Sequence, residues 1–159
     1  MKKASRAPWS ALAALAALVT LLPGCGEDND DLENALLEAR QSPIAFVSDR
    51  DGARRIYLMD EDGSRQRPLS DPPQGGDTHP AWSPDGRRIA FVSYRDHATY
   101  GEIYVMDADG ENERNLTNSP GSHDTHPAWS PDGSSIAFAS DRDYGPRTPD
   151  IYALNADRR

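Results

Sequence analysis

Two Asp-x-His pairs are the residues of this 159-residue chain whose types and spacing could do chemistry. Asp77 and His79 form one; Asp124 and His126 form the other. Carboxylate and imidazole are both good ligands for divalent metals. On a strand, residues i and i+2 point to the same face, so each pair is expected to be co-facial. Asp77, His79, Asp124 and His126 are therefore a candidate ligand or metal rim. The competing reading is structural: a hydrogen bond from Asp or His to a neighbouring turn.

Both pairs lie inside one ten-residue string, DTHPAWSPDG. It occurs at Asp77–Gly86 and, letter for letter, at Asp124–Gly133. Such repetition marks a building unit. HPAWS suits a short strand with a large aromatic in its middle. SPDG suits a tight turn: Pro84 and Pro131 pre-set φ, Asp85 and Asp132 cap the backbone, and Gly86 and Gly133 take the open conformation. Trp82 and Trp129 offer an aromatic platform for a sugar or peptide, or else a wedge buried between neighbouring sheets. Their fixed spacing to SPDG favours the wedge.

Aligned on Ile-Ala-Phe at Ile44, Ile89 and Ile136, the chain repeats at intervals of 45 and 47 residues. IAFVS, IYVM and RNLT supply further strands, separated by Asp-Gly turns. A period in this range with strand content indicates propeller blades of four strands each. The expected strand order, labelling the strands of a blade a to d, is bcd, abcd, abc. The fold class is all-β: a partial β-propeller of about two and a half four-stranded antiparallel blades, over residues 43–159.

Other chemistry is poorly served. A calcium loop needs D-x-D-x-D-G and a Glu at its twelfth position. DEDG (Asp60–Gly63) and DADGENE (Asp107–Glu113) lack that spacing, and turn formation explains them. No G-x-S-x-G elbow is present. Ser83 and Ser130 precede prolines and belong to turns, and the DTHP histidines lack an obvious nucleophile partner. The expectation is a non-catalytic chain without a cofactor.

The string P-A-W-S-P-D-G-x-x-I-A-F-x-S-x-R-D, followed by I-Y-x-M-D-A-D-G and L-T, resembles the WD-like propeller repeat of the TolB family. The same repeat occurs in tricorn-type and prolyl-oligopeptidase-type propellers. The resemblance runs from Ile44 to Arg159, and the unit Asp77–Thr117 matches in every segment. It implies a protein-interaction module whose partners are envelope proteins, such as peptidoglycan-associated lipoproteins. In peptidases of this class the catalytic domain is a separate α/β-hydrolase region. Family propellers close rings of six or more blades, and six blades of this size need roughly 270 residues. Three units cannot close such a ring. Self-association, further blades of a longer and possibly hydrolase-associated propeller, or an open arc are the expected resolutions.

The first residues have another purpose. Residues 1–24 carry Lys2, Lys3 and Arg6, then an uncharged apolar run from Trp9 to Leu22, as a secretory signal does. Leu22-Pro23-Gly24-Cys25 resembles a bacterial lipobox, with Cys25, the single Cys, as the acylated residue. Residues 25–42 are expected to be an acidic tether and a short helix bearing Leu32, Leu36 and Leu37. The chain is then secreted across the inner membrane and lipid-anchored in the bacterial envelope. TolB itself is soluble and has an extra N-terminal domain, so the anchor departs from the family pattern. The formal charge is −9, and removal of three signal cations makes it more negative still. So acidic a surface disfavours nucleic acid and anionic lipid head groups as partners, and no nucleic acid is expected. Membrane attachment comes from the lipid. The alternative function is a ligand- or metal-binding surface lipoprotein using the Asp/His rim.

Overall fold

A computed structural model of the chain describes residues 43–143 and 148–157. The expected signal, Cys25 anchor and short helix lie outside the described residues. Ten strands are present: β1 (Ile44–Ser48), β2 (Arg55–Met59), β3 (Arg67–Pro68), β4 (Asp77–Trp82), β5 (Arg88–Ser93), β6 (Glu102–Asp107), β7 (Arg114–Asn115), β8 (Asp124–Trp129), β9 (Ser135–Ser140) and β10 (Asp150–Asn155). They form three sheets, β1-β2-β3, β4-β5-β6-β7 and β10-β9-β8. All pairings are antiparallel. This is the bcd, abcd, abc order that the repeat implies. Two details differ from expectation. The outermost strands β3 and β7 span only two residues each, and Trp82 and Trp129 end their strands instead of sitting mid-strand.

Period-two alternation explains how the sheets stack. In β5 and β6, Ile89 pairs with Met106 and Phe91 with Tyr104, while Ala90 pairs with Val105 and Val92 with Ile103. The first four residues face the first sheet, where Ala45, Ile56 and Leu58 meet them, with Val47, Leu69 and Trp82 at the margin. The second four face the third sheet, packing with Ile136, Phe138 and Ala156 and partly with Trp129, Tyr152 and Leu154. The middle blade is thus apolar on both faces, and its strands are nearly continuous hydrophobic runs. Burial of each Ile, Val or Phe contributes about 1.5–3 kcal/mol.

The tight turns hold as their residue types require. Gly86 donates its N–H to Ser83 O at 3.0 Å, and Gly133 donates to Ser130 O at 2.9 Å. Both glycines sit at left-handed φ, 71° and 72°. Ser83 and Ser130 donate their hydroxyls to Asp85 and Asp132, each at 2.6 Å. That bond, with further donors from Ser134, lowers the Asp132 carboxyl to about 2.

Candidate functional site

The Asp-x-His pairs are not co-facial, and a β-bulge is the reason. Strand β4 pairs with β5 at Asp77–Ser93 and Thr78–Val92, then resumes at Ala81–Ala90. His79 and Pro80 therefore oppose the single residue Phe91, and His126 and Pro127 likewise oppose Phe138. His79 and His126 take left-handed φ of 53° and 56°. The extra residue breaks the period-two rule and re-aims the side chain. Asp77 and Asp124 turn inward and are completely buried. His79 and His126 face solvent.

Each buried carboxylate has an arginine of its own blade. Arg95 Nη2 lies 3.0 Å from Asp77 Oδ2, and its other terminal nitrogen pairs with Glu113. Arg142 Nη2 lies 3.1 Å from both Asp124 oxygens. Burial is the largest influence on Asp77 and pushes its carboxyl up. Ser93, Ser70 and Arg95 oppose that, although neither hydroxyl reaches Oδ1 at full hydrogen-bonding geometry.

These arginines belong to a constellation whose turn-like residues conceal it in the sequence. Phe-x-Ser-x-Arg-Asp occurs at Phe46, Phe91 and Phe138. In every unit the Arg Nε donates to the Ser hydroxyl, at 2.9 Å (Arg50–Ser48), 2.8 Å (Arg95–Ser93) and 2.9 Å (Arg142–Ser140). In every unit the guanidinium lies over two rings. Its carbon is 5.5 and 4.8 Å from Phe46 and Tyr57, 5.7 and 4.8 Å from Phe91 and Tyr104, and 5.3 and 4.7 Å from Phe138 and Tyr152. The Asp that follows accepts the Tyr hydroxyl: Asp51 from Tyr57, Asp96 from Tyr104, Asp143 from Tyr152. Asp143 holds the Tyr152 phenol up at about 12. Burial, then Asp96, raises Tyr104. The signal for this cluster was the identical spacing in three units, visible once DRD is seen as more than a turn.

The exposed histidines meet one another. Their ring centroids are 4.6 Å apart, with planes inclined by 59°. Nδ1 of His79 lies 3.0 Å from Thr78 Oγ1, and Nδ1 of His126 lies 3.0 Å from Thr125 Oγ1. The His79 ring is held below its ordinary pKa by burial first, then by His126, Arg54 and His123. Among the described residues no group of three or more His, Cys, Asp or Glu side chains is placed to hold a metal ion. The four rim residues thus divide into two buried ion pairs and one exposed imidazole pair.

Both tryptophans are half-buried wedges between blades. Trp129 Nε1 donates to Ala81 O of the preceding blade at 3.0 Å, and Arg88 lies 4.8 Å over its ring. Trp82 Nε1 is buried without an acceptor among the described residues. The corresponding carbonyl would belong to an inner strand beside β1. An open groove of about 270 Å³ lies between the SPDG turns, lined by Pro84, Asp85, Arg88, Pro131, Asp132 and Gly133. None of the Asp-x-His residues lines it.

Stacked antiparallel sheets of three or four strands, with a repeated inner-strand bulge and wedge tryptophan, define a β-propeller built from WD-like repeats. The chain belongs to the TolB beta propeller domain family, whose model matches residues 73–159. It is similar to the structure of putative TolB from Agrobacterium tumefaciens, at 27% identity and a TM-score of 0.62, covering 73% of this chain and 42% of that one. It is also similar to an oligogalacturonate lyase solved in complex with manganese, at 30% identity and a TM-score of 0.53, covering 72% and 30%. Over 62 residues it is 46% identical to the uncharacterized peptidase YuxL of Bacillus subtilis (strain 168), covering 36% of this chain and 9% of that one. The chain spans less than half the length of each of these relatives.

Proposed function

We propose that this chain is a non-catalytic, lipid-anchored envelope protein whose propeller blades bind other proteins. The observation that carries the reading is how its reactive side chains are used. Asp77 and Asp124 are tied to Arg95 and Arg142, and the Ser83 and Ser130 hydroxyls are tied to turn carboxylates. Family membership supports a binding module over a catalyst, although relatives include a peptidase and a lyase. Cys25 supplies the anchor in this reading. Partners are envelope proteins. Further blades, from a second copy or a longer chain, cover the third sheet's outer face, where Ile151 is 76% exposed.

Photo-crosslinking in the native envelope tests this. A crosslinking residue in place of the exposed Ala128 on inner strand β8 should capture discrete protein adducts, and one in place of Arg67 on outer strand β3 should not. In the same cells Cys25→Ser should release the protein from the membrane fraction. Equal or absent capture at both positions would sink the reading. A second reading, a surface lipoprotein that binds a small ligand or metal, is favoured by the solvent-facing His79–His126 contact.

A further inference from the structure

The inner rim differs chemically from the rest of the chain. The formal charge of the whole is −9. Yet no carboxylate is among the groups that act on the His79 ring, which are His126 from β8, Arg54 from the loop before β2 and His123 from the loop before β8; His123 accepts the Gly101 N–H on Nδ1 at 2.8 Å. Of the acids close by, Asp77 and Asp124 are buried and paired with Arg95 and Arg142, and Asp141 accepts the His123 backbone N–H at 2.6 Å. Tyr94 links Arg54 and His123. The Arg54 guanidinium carbon lies 5.6 Å over its ring, and the His123 ring centroid lies 5.7 Å from it. Gly76 allows the approach, because a Cβ there would meet Arg54 at 3.1 Å.

The imidazoles are presented with some effort. A left-handed φ is uncommon outside glycine, and such outliers concentrate at functional sites. Both units hold their histidine in this conformation, and the two rings come together. The threonine hydroxyls then set the available proton. A hydroxyl donating to Nδ1 leaves the proton of the neutral ring on Nε2, where it can be donated outward. When the ring is protonated, Nδ1–H donates to the same threonine oxygen. Thr78 and Thr125 thus accommodate both anion-binding forms.

We propose that His79 and His126, with Arg54 and His123 beside them, form a site for an anionic group, a carboxylate supplied by an acidic segment of a partner protein. This rests on the rim being a binding surface, as the proposed function has it. Two nitrogen donors from adjacent blades converge on the group, and the arginine adds charge that no buried acid cancels. A metal is the poorer occupant. It needs the Nε2 lone pair, it lacks a third ligand among the described residues, and it is repelled by Arg54.

Calorimetric titration with a tetraglutamate peptide, inorganic phosphate and zinc chloride, each at pH 6 and pH 8, tests the site. A bound anion favours protonation of the His79 ring, which its surroundings otherwise oppose, so the peptide should bind severalfold more tightly at pH 6 than at pH 8. Arg54→Ala and His126→Gln should each weaken it by about tenfold, the cost of one charge-assisted contact. Both positions are exposed, and near-ultraviolet circular dichroism checks that the fold survives. Phosphate that outcompetes the peptide would move the source of the charge from a protein to a free anion and overturn the proposal in that respect. Zinc binding that strengthens toward pH 8, is lost in His126→Gln and persists in Arg54→Ala would replace it with a metal site. Failure of the peptide to bind at either pH would also overturn it. A partner crosslinked at position 128 whose capture ignores Arg54→Ala and His126→Gln would leave the protein-binding reading standing and remove this one.

Discussion

Arg95 is the residue on which most of one blade's polar interior converges. It pairs with buried Asp77 and with Glu113, donates Nε–H to the Ser93 hydroxyl, and lies over Phe91 and Tyr104. Truncating one partner of a buried pair strands the other charge and costs about 3–5 kcal/mol. Arg95→Met should therefore destabilise the chain by that amount in a urea melt at pH 7. Lysine should not rescue it, because a point charge cannot supply the planar fork or stack on both rings. Acid should reduce the deficit. Burial already raises the Asp77 carboxyl, and loss of Arg95 raises it further. A group with a raised folded pKa contributes stability below its unfolded value, about 3.9 for Asp, and loses it as pH rises through the folded value. The gap between Arg95→Met and wild type should be narrowest near pH 4. A pH-independent gap would mean that Asp77 is not the stranded charge.

At the scale of elements, the inner strands β4 and β8 are identical in sequence yet differently supported. Trp129 donates to Ala81 O across the blade boundary, whereas Trp82 has no acceptor among the described residues. Phenylalanine keeps most of the ring packing and removes only the N–H. Trp129→Phe should cost about 1 kcal/mol more than Trp82→Phe, the typical net worth of one hydrogen bond. Paired denaturation curves for the two variants measure the difference directly. Equal costs would show that Trp82 finds an acceptor beyond the described residues.

For the whole molecule, position in the stack decides what a residue contributes. Ile103 and Ile151 occupy equivalent places in IYVM and IYAL, facing the next blade. Ile103 is 0% exposed and Ile151 76%. Ile103→Ala should cost about 2–5 kcal/mol through lost burial and a cavity. At concentrations where light scattering shows a monomer, Ile151→Ala should stay within about 0.5 kcal/mol, as surface changes do. A large cost for Ile151→Ala would show that this face is covered in solution.

Local pattern was sufficient for the repeat, the ten strands, the SPDG turns and the wedge tryptophans. These depend on short-range rules: alternation for strands, φ restriction for Pro and Gly, and a period that recurs whatever the surroundings. The same rules misplaced the Asp-x-His pairs, because the co-facial expectation assumes a regular strand. Nothing in DTHP alone announces that His79 and Pro80 will face one residue of β5. The Phe-x-Ser-x-Arg-Asp cluster was written three times in the chain, but its meaning depends on a Tyr on the next strand and, in two units, on a buried Asp on the strand before. Which histidines meet, which acids are buried and which isoleucine stands exposed follow from the stacking of sheets. Those are contacts between residues far apart in sequence, 18 positions for each buried Asp and its arginine and 47 for the two histidines (126 − 79), and only the tertiary structure decided them.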